Sequence, residues 1–313
     1  MPSTALVYSS HNRSHRIHHD LIVQRALSGR ANKRIFLLPM SMSPQHGDEL
    51  ALQKQEVETF AWYFRGFAEK GLEFVPFYWN SALRPQDVEL LFKYLEESEV
   101  VLLSGGSSMV GLRRYRDLGA RFANDPDKFR KLLEQRQKRG LLTVGFSAGA
   151  DQLMEKLFRV THHIPGDNRA FGLITDTLIT LHHDPSRDAA LFDAAREFPQ
   201  SRVFGLPNDS ALSVSRGVTP QGAQWQLTEF IIDTSWDRPA DAWHVRTRTG
   251  ATIQHFYADG RHWSFQQGDW MLRVKSADGK QDQSWVGSGN RLLAYQSQQA
   301  HETKSAEQLI AAN

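Results

Sequence analysis

Short apolar runs alternate with amphipathic stretches through roughly the first 215 residues. The runs hold four to six residues and lie near Gly, Ser or Pro, as buried parallel strands do. They are Ala5–Tyr8, Ile35–Met40, Leu72–Phe77, Val100–Leu103 and Leu141–Phe146. Between them, apolar residues recur every three or four positions, as in the stretches Val57–Ala68, Val88–Leu95 and Asp127–Lys138. The alternation predicts an α/β fold with a flavodoxin-like parallel sheet sandwiched by helices.

The pattern changes after about Gly217. Upstream of it, further strand and helix segments continue the α/β alternation: Leu178–Leu181, Asp188–Phe198, Val203–Leu206 and Ala211–Ser215. Downstream lie six of the eight tryptophans, together with alternating segments separated by the turn pairs Asp259-Gly260 and Asp278-Gly279, which predict β-hairpins. We therefore expect an α/β domain over residues 1–216, a mostly β appendage over 217–297 and a polar tail over 298–313, which at most forms a frayed helix.

Composition excludes several classes of site and partner. The 313 residues are 40% hydrophobic and 23% charged, which is ordinary for a globular protein. A net charge of +2 gives no electrostatic case for nucleic acid or an anionic membrane as partner. The absence of cysteine excludes disulfides, a thiolate nucleophile and Cys-ligated metal sites. The N-terminus has no apolar run suited to a signal peptide and no run of 18 apolar residues exists, so a cytoplasmic location is expected.

The segment Gly145-Phe146-Ser147-Ala148-Gly149 has the G-x-S-x-G pattern in its meaningful context. It follows a predicted strand and precedes a helix-compatible stretch over Asp151–Phe158. A nucleophile on such a turn has a strained backbone, and bulky side chains at the flanking glycines would collide with the turn. The following helix points backbone N–H groups at the reacting centre, so the Ala148 amide is expected to donate to an oxyanion.

A second glycine-rich segment, Ser104-Gly105-Gly106-Ser107, follows the predicted strand Val100–Leu103. Because the carboxyl ends of parallel strands gather at one edge, Gly105 and Gly106 should lie beside Ser147 and complete an oxyanion hole. A plain strand-to-helix turn is the alternative interpretation. A phosphate loop fits the segment less well still, because no G-x-x-x-x-G-K-[ST] pattern follows.

A nucleophilic serine needs a base, and the strand Leu178–Leu181 ends in His182 and His183. Adjacent strand residues face opposite sides, so one of the two should reach Ser147. The pair His162 and His163 is a rival. The loop Gly205–Ser210 follows the next predicted strand, and it offers Asn208 and Asp209 to orient the base. Asp184 is a more distant candidate for that role.

Four blocks of the sequence resemble peptidase family S51, which holds dipeptidase E and cyanophycinase. They are the opening strand through Pro39; Leu103-Ser104-Gly105-Gly106-Ser107; Gly145-Phe146-Ser147-Ala148-Gly149-Ala150; and Ile179–His182 together with Gly205–Asn208. The likeness to dipeptidase E continues through Val214–Gly217. It covers about residues 4–217 in order and spacing, and the block around Ser147 is its most specific part.

The resemblance implies a fold related to class I glutamine amidotransferases, with serine in place of their cysteine. Carried over by motif, Ser147 is the nucleophile, His182 the base, and Gly106 and Ala148 the oxyanion hole. Asn208 stands where the family usually has a glutamate, and it completes a Ser-His-Asn triad. The family implies hydrolysis of small peptides with aspartate at the cleavage position, α- or β-linked, with no cofactor or metal.

Substrate contacts follow less directly from the sequence. We expect Ser107, Arg187 and Asp209 to contact the peptide, with Arg187 as a partner for its carboxylates, because an Arg fork matches a carboxylate in two hydrogen bonds. Arg113 and Arg114 are further candidates, although a solvated helix face suits them better. The β-rich segment could cover the site, mediate a homodimer or do neither.

The sequence is compatible with two other functions. Because Asn208 replaces an acid, the chain could be a weak or inactive amidotransferase-like protein that binds a small molecule or peptide. Alternatively, the N-terminal histidines could bind metal, since His11, His15 and His19 share the helical spacing i, i+4, i+8 and His18 and Asp20 lie nearby. A solvated loop and helix start is the simpler interpretation of these histidines.

Overall fold

A computed structural model describes residues 2–10, 15–157, 169–233, 251–301 and 304–312. In these ranges the strands are β1 (Ala5–Tyr8), β2 (Arg34–Leu38), β3 (Glu73–Pro76), β4 (Val100–Leu103), β5 (Leu142–Phe146), β6 (Thr177–Thr180), β7 (Arg202–Gly205), β8 (Ser210–Val218), β9 (Gln224–Ile232), β10 (Ile253–Phe256), β11 (His262–Phe265), β12 (Trp270–Lys275), β13 (Asp282–Ser288) and β14 (Arg291–Ala294).

The helices of the same ranges are α1 (Gln24–Leu27), α2 (Glu49–Phe64), α3 (Pro85–Glu97), α4 (Ser108–Ala123), α5 (Lys128–Lys138), α6 (Ala148–Leu153), α7 (Asp188–Glu197) and α8 (Ala306–Ala312). A π-helical segment, Ile17–Val23, runs into α1, and 3-10 turns cover Pro44–His46, Arg65–Lys70 and Pro185–Arg187. None of the helices in the described ranges combines the length and apolarity that a bilayer crossing requires.

The main sheet has ten strands in the order β14-β13-β12-β9-β8-β1-β5-β4-β2-β3. The five strands from β1 to β3 in this order pair in parallel. From β8 outward every pairing is antiparallel. The predicted α/β class, with a mostly β C-terminal region, is therefore confirmed.

Helices cover both faces of the parallel part. Ala5 and Val7 of β1 pack into an apolar cluster with side chains of α3, α4 and α5. Their neighbours Leu6 and Tyr8 pack into a second cluster with side chains of α1 and α2. Because successive strand residues point to opposite faces, a strand covered on both sides is apolar throughout, which is why the sequence pattern identified these strands so clearly.

A buried arginine anchors the start of β5, the strand that leads to Ser147. Arg136 of α5 is fully buried. Its guanidinium donates to the carbonyl oxygens of Leu95 and Ser98, at 2.8 and 2.6 Å, and to that of Leu142 at 2.8 Å. These bonds tie the end of α3 to the first residue of β5 and satisfy carbonyls that would otherwise be costly to bury.

The strands that precede the two histidines and Asn208 belong to a second sheet of four strands, in the order β11-β10-β7-β6. In it β6 and β7 pair in parallel, so that their carboxyl ends lie side by side. The helix predicted over Asp151–Phe158 is wrong in its bounds: α6 ends at Leu153, and Met154 turns extended to bridge with Ile174.

The predicted boundary at residue 217 falls within β8, and strands on both sides of it belong to the main sheet. The division into domains stays a prediction. The predicted hairpins are present, as β10 with β11 and β12 with β13. In the polar tail, Ala306 and Leu309 of α8 pack into an apolar cluster with Trp225, Leu272 and Trp285, so this helix is held by tertiary packing.

Candidate active site

Ser147 occupies the turn between β5 and α6. Its backbone has φ 48° and ψ −119°, a region that costs a non-glycine residue roughly 1–3 kcal/mol. The Ser147 N–H donates to the carbonyl oxygen of Tyr8 at 3.0 Å, and the Ser147 carbonyl accepts from the N–H of Ala150 at 2.9 Å. This is the strained strand-turn-helix geometry that exposes a nucleophile in hydrolases.

The glycines beside Ser147 allow backbone to approach backbone. A Cβ on Gly145 would lie 2.3 Å from the carbonyl oxygen of Gly149. A Cβ on Gly149 would lie 2.2 Å from the carbonyl oxygen of Leu103, the last residue of β4. Both distances are far inside van der Waals contact, so neither position accepts a side chain without movement of the backbone.

The second glycine-rich segment lies beside this turn. A Cβ on Gly105 would come within 3.3 Å of the Ser147 Cβ, which shows how near the two segments are. Gly106 has φ 122°, and a Cβ there would lie 2.2 Å from the carbonyl oxygen of Ser41. The Ser107 N–H donates to that same oxygen at 2.7 Å. The Ser107 side chain accepts from the Val110 N–H and so caps α4.

His182 follows β6 with φ 51°, a value that is uncommon for residues other than glycine. Its N–H donates to the Ser9 hydroxyl oxygen at 2.7 Å, which ties the second sheet to the end of β1 in the main sheet. Its Nδ1 lies 2.6 Å from Oδ1 of Asn208. Because an amide oxygen only accepts, this bond requires the proton on Nδ1 and makes Nε2 the basic nitrogen of the ring.

The neighbouring His183 has a different environment. Its ring is buried and packs against Gly205, where a Cβ would lie 2.5 Å from the ring. Its Nδ1 lies 3.1 Å from the Thr180 hydroxyl and its Nε2 lies 2.9 Å from the Asp188 carboxylate. Burial lowers the pKa of His183, against the opposing effect of Asp188. Both ring nitrogens of His183 therefore have hydrogen-bond partners within the fold.

Ser147, His182 and Asn208 line one cleft of about 250 Å³. The other residues that line it are Ser9, Ser10, Met42, Glu56, Gly105, Gly106 and Phe146. Of the predicted site residues, Ala148, Ser107, Arg187 and Asp209 are not among the described residues that line the cleft. The structure thus brings the three proposed triad residues and Gly106 together, while their catalytic roles stay predictions.

The arginines named as candidates for substrate contact differ in their surroundings. Arg187 donates to the Leu181 carbonyl oxygen at 3.1 Å. Arg114 donates to the carbonyl oxygens of Met40 and Met42 and pairs with Glu49 at 2.6 Å, so it holds the loop before the cleft and is not the solvated residue expected from the sequence. Arg113 is exposed on α4.

Asp209 and Asp184 are the two carboxylates that were considered for orienting the base. Asp209 is buried with φ 58°. Burial raises the pKa of Tyr63, and the charges of Glu56 and Asp209 raise it further. Asp184 accepts from the N–H of Ser186 at 2.9 Å and caps a 3-10 turn. The partner that the structure gives the His182 ring on Nδ1 is therefore the amide of Asn208.

Glu56 is a cleft residue with a titratable side chain that was not predicted from the sequence. It lies on α2, whose buried side contains Gln53, Glu56, Val57, Phe60 and Phe64. Burial raises the pKa of Glu56 to about 8, although the Gly105 N–H, which donates to its carboxyl group, acts in the opposite direction. A carboxyl residue in register with a helix's apolar stripe was the available signal.

The N-terminal histidines lie in two different environments. His15 and His19, which the spacing predicts on one face, have ring centroids 3.9 Å apart in an edge-to-face arrangement. His18 is fully buried, with its Nε2 3.2 Å from the Tyr8 hydroxyl. His11, like the rival pair His162 and His163, lies outside the described residues. Within the described part of the chain, no group of three or more His, Asp or Glu side chains could hold a metal ion.

No protein-family model matches this sequence, and no curated protein matches it either. Among solved structures, the chain is similar to the crystal structure of a peptidase from an acI-B1 Actinobacterium, with a TM-score of 0.52 and 13% sequence identity. The match covers 88% of this chain and 97% of that chain. At this identity the likeness establishes a shared fold, which is that of a peptidase.

Replacing Gly149 by Ala is expected to lower the free energy of unfolding by about 1–3 kcal/mol, the usual cost of overpacking. The added Cβ would meet the Leu103 backbone, which cannot rotate away. Urea denaturation measures the change, and Gly66→Ala is the matched control, because a Cβ at Gly66 would meet nothing within 4 Å. Equal unfolding free energies for the two variants would contradict the backbone contact.

Proposed function

We propose that this protein is a serine hydrolase that cleaves small peptides through an acyl-enzyme on Ser147. The observation that carries the proposal is one cleft containing a serine on a strained turn and a histidine whose Nδ1 is bound by Asn208 Oδ1 at 2.6 Å. This arrangement leaves Nε2 as the nitrogen that can accept a proton from the serine.

The proposed reaction has two halves. Ser147 Oγ attacks the peptide carbonyl carbon while His182 Nε2 takes the hydroxyl proton, and the backbone N–H groups of Gly106 and Ala148 stabilise the oxyanion. The C–N bond then breaks as the His182 imidazolium gives its proton to the departing amine. In the second half, water attacks the ester, His182 again takes and returns the proton, and the acid product leaves Ser147 free.

Aspartyl peptides, α- or β-linked, are the proposed substrates, and the support for them is the sequence resemblance. A cleft of about 250 Å³ lies near the lower end of small-molecule sites, which suits a short peptide. No lysine or arginine is among the described residues that line it. A panel of dipeptides with α-Asp, β-Asp or neutral first residues tests the substrate preference separately from the hydrolase activity. Turnover of neutral peptides alone would support the hydrolase function and refute the preference for aspartate.

An inactive binding protein is the second candidate, and Asn208 is the observation that favours it. A neutral amide fixes the tautomer of His182 but does not stabilise the imidazolium that forms during reaction. A fluorophosphonate probe discriminates between the two candidates, because it reacts readily with an activated serine and not with an idle one.

Ser147→Ala is expected to abolish both hydrolysis and probe labelling while the protein stays folded. Loss of a triad nucleophile typically lowers kcat by about 10⁶-fold. Turnover of the best dipeptide and mass analysis of the labelled peptide provide the measurement, with circular dichroism as the check on folding. Retention of more than about a tenth of the wild-type rate would refute the assignment, since it is far outside that loss.

His182→Ala and His183→Ala form a matched pair at adjacent positions. We expect the first to lower kcat by a factor on the order of 10⁶ with little change in stability. The second should keep turnover at low temperature and lower the unfolding free energy by about 1–3 kcal/mol, because it removes a buried ring bonded to Thr180 and Asp188. Loss of turnover confined to the His183 variant would reverse the assignment of the base.

Asn208→Asp places a carboxylate of the same length against His182 Nδ1. Since the charge stabilises the developing imidazolium, kcat at pH 8 is expected to rise by roughly tenfold, a small part of the 10⁴-fold lost on the reverse change in a protease triad. Asn208→Ala, which removes the acceptor, should lower kcat. An Asn208→Asp variant with an unchanged melting temperature and a lower kcat than wild type would contradict this prediction and show that His182 requires a neutral partner.

A further inference from the structure

Glu56 stands apart from the other buried polar residue of its helix. One turn before it, Gln53 bonds both the N–H and the carbonyl oxygen of Trp79, at 2.7 and 3.0 Å, and so holds a loop. Glu56 instead lines the cleft with Ser147 and His182, although it is only 7% exposed. Its carboxyl group accepts the N–H of Gly105.

That hydrogen bond acts on the segment that contains the proposed oxyanion donor. The Gly105 N–H and the Gly106 N–H lie on consecutive peptide planes that meet at the Gly105 Cα, so fixing the first plane leaves only the two dihedral angles of Gly105 to orient the second. The other side of the segment is fixed by Ser41, whose carbonyl oxygen accepts the Ser107 N–H and leaves no room for a Cβ at Gly106. Glu56 and Ser41 thus hold the loop from opposite ends.

We propose that Glu56 is a positioning residue for the oxyanion-binding loop and that turnover requires its uncharged form. This inference rests on the proposed hydrolase function. Glu56 acts through the Gly105 amide and does not itself exchange a proton with substrate. Its uncharged carboxyl group still offers a carbonyl oxygen to the Gly105 N–H, so the loop is held without a negative charge beside the reacting carbonyl.

Burial favours the neutral form of Glu56. Two tyrosines lie near it, Tyr8 of β1 and Tyr63, two turns further along α2. Burial and then the charge of Glu56 raise the pKa of each, so both tyrosines are uncharged over the range in which Glu56 titrates. Asp209 adds a second carboxylate that acts on Tyr63. His182 shares the cleft, and no lysine or arginine is among the described residues that line it.

Ionisation of Glu56 would oppose catalysis directly. The tetrahedral intermediate carries its negative charge at the Gly106 N–H, one residue from the amide that Glu56 binds, and two like charges that are close together repel each other, more strongly where one of them is buried. With a pKa of about 8, Glu56 is mostly neutral at pH 7 and mostly ionised at pH 9. Activity should therefore fall as the pH rises through this range.

The test compares Glu56→Gln, Glu56→Ala and the exposed control Glu58→Gln on the same helix. Both kcat/KM and the rate of fluorophosphonate labelling are measured from pH 6 to 9.5. Wild type and Glu58→Gln should lose roughly tenfold between pH 7 and 9, as one group titrates. Glu56→Gln should lack that loss and exceed Glu56→Ala by at least about tenfold at pH 7, since losing an oxyanion donor costs about 10²–10³.

A Gln variant as impaired as the Ala variant would show that the charge of Glu56 is needed, and it would overturn the proposal. A wild-type profile without the loss above pH 8 would do the same. If Ser147 is not labelled at all, the hydrolase function fails, and NMR still decides on Glu56. The Gly105 amide shift should titrate near pH 8 in wild type and not in Glu56→Gln, whereas an amide that does not titrate in wild type refutes the coupling.

Discussion

Backbone packed directly against backbone around Ser147 is the constraint on which the site depends. A Cβ at Gly145 or Gly149 would lie within 2.3 Å of a carbonyl oxygen, so the turn, the first residues of α6 and the end of β4 form one rigid unit. The positive φ of Ser147 is strained by roughly 1–3 kcal/mol. It persists because the bonds to Tyr8 and Ala150 and the closeness of β4 leave the chain no alternative path.

The second constraint is the junction between two sheets. Ser147 follows β5 of the ten-stranded sheet, whereas His182 and Asn208 follow β6 and β7 of the smaller one. The parallel pairing of β6 with β7 places the histidine and the amide side by side. The bond from the His182 N–H to the Ser9 hydroxyl then fixes this pair against the end of β1, next to the strand that leads to Ser147. One serine side chain therefore links the two sheets at the cleft.

The parts that the sequence predicted are those governed by local rules. Strands buried on both faces appear as continuous apolar runs, and the run of β4 coincides with its bounds in the structure. The turn around Ser147 follows from its glycines. Long-range pairing was not predictable. Helix α6 ends early because Met154 bridges with Ile174, and nothing in the local sequence marks this switch from helix to extended chain. Glu56 was missed because a lone carboxyl residue on an amphipathic helix usually faces solvent, and only the fold brings it beside Gly105.

The charge at position 208 bears on the ionisation of Glu56, because both residues line the same cleft. Glu56 lines the cleft. Beyond the effect of burial, its charge and that of Asp209 raise the pKa of Tyr63. A carboxylate in place of Asn208 would stabilise the His182 imidazolium, but it would also add negative charge to a region where burial already disfavours the anionic form of Glu56. Like charges raise one another's pKa, so such a carboxylate would extend the pH range over which Glu56 stays neutral. A neutral amide fixes the histidine tautomer without this coupling, and the ionisation of Glu56 then remains independent of the residue that orients the base.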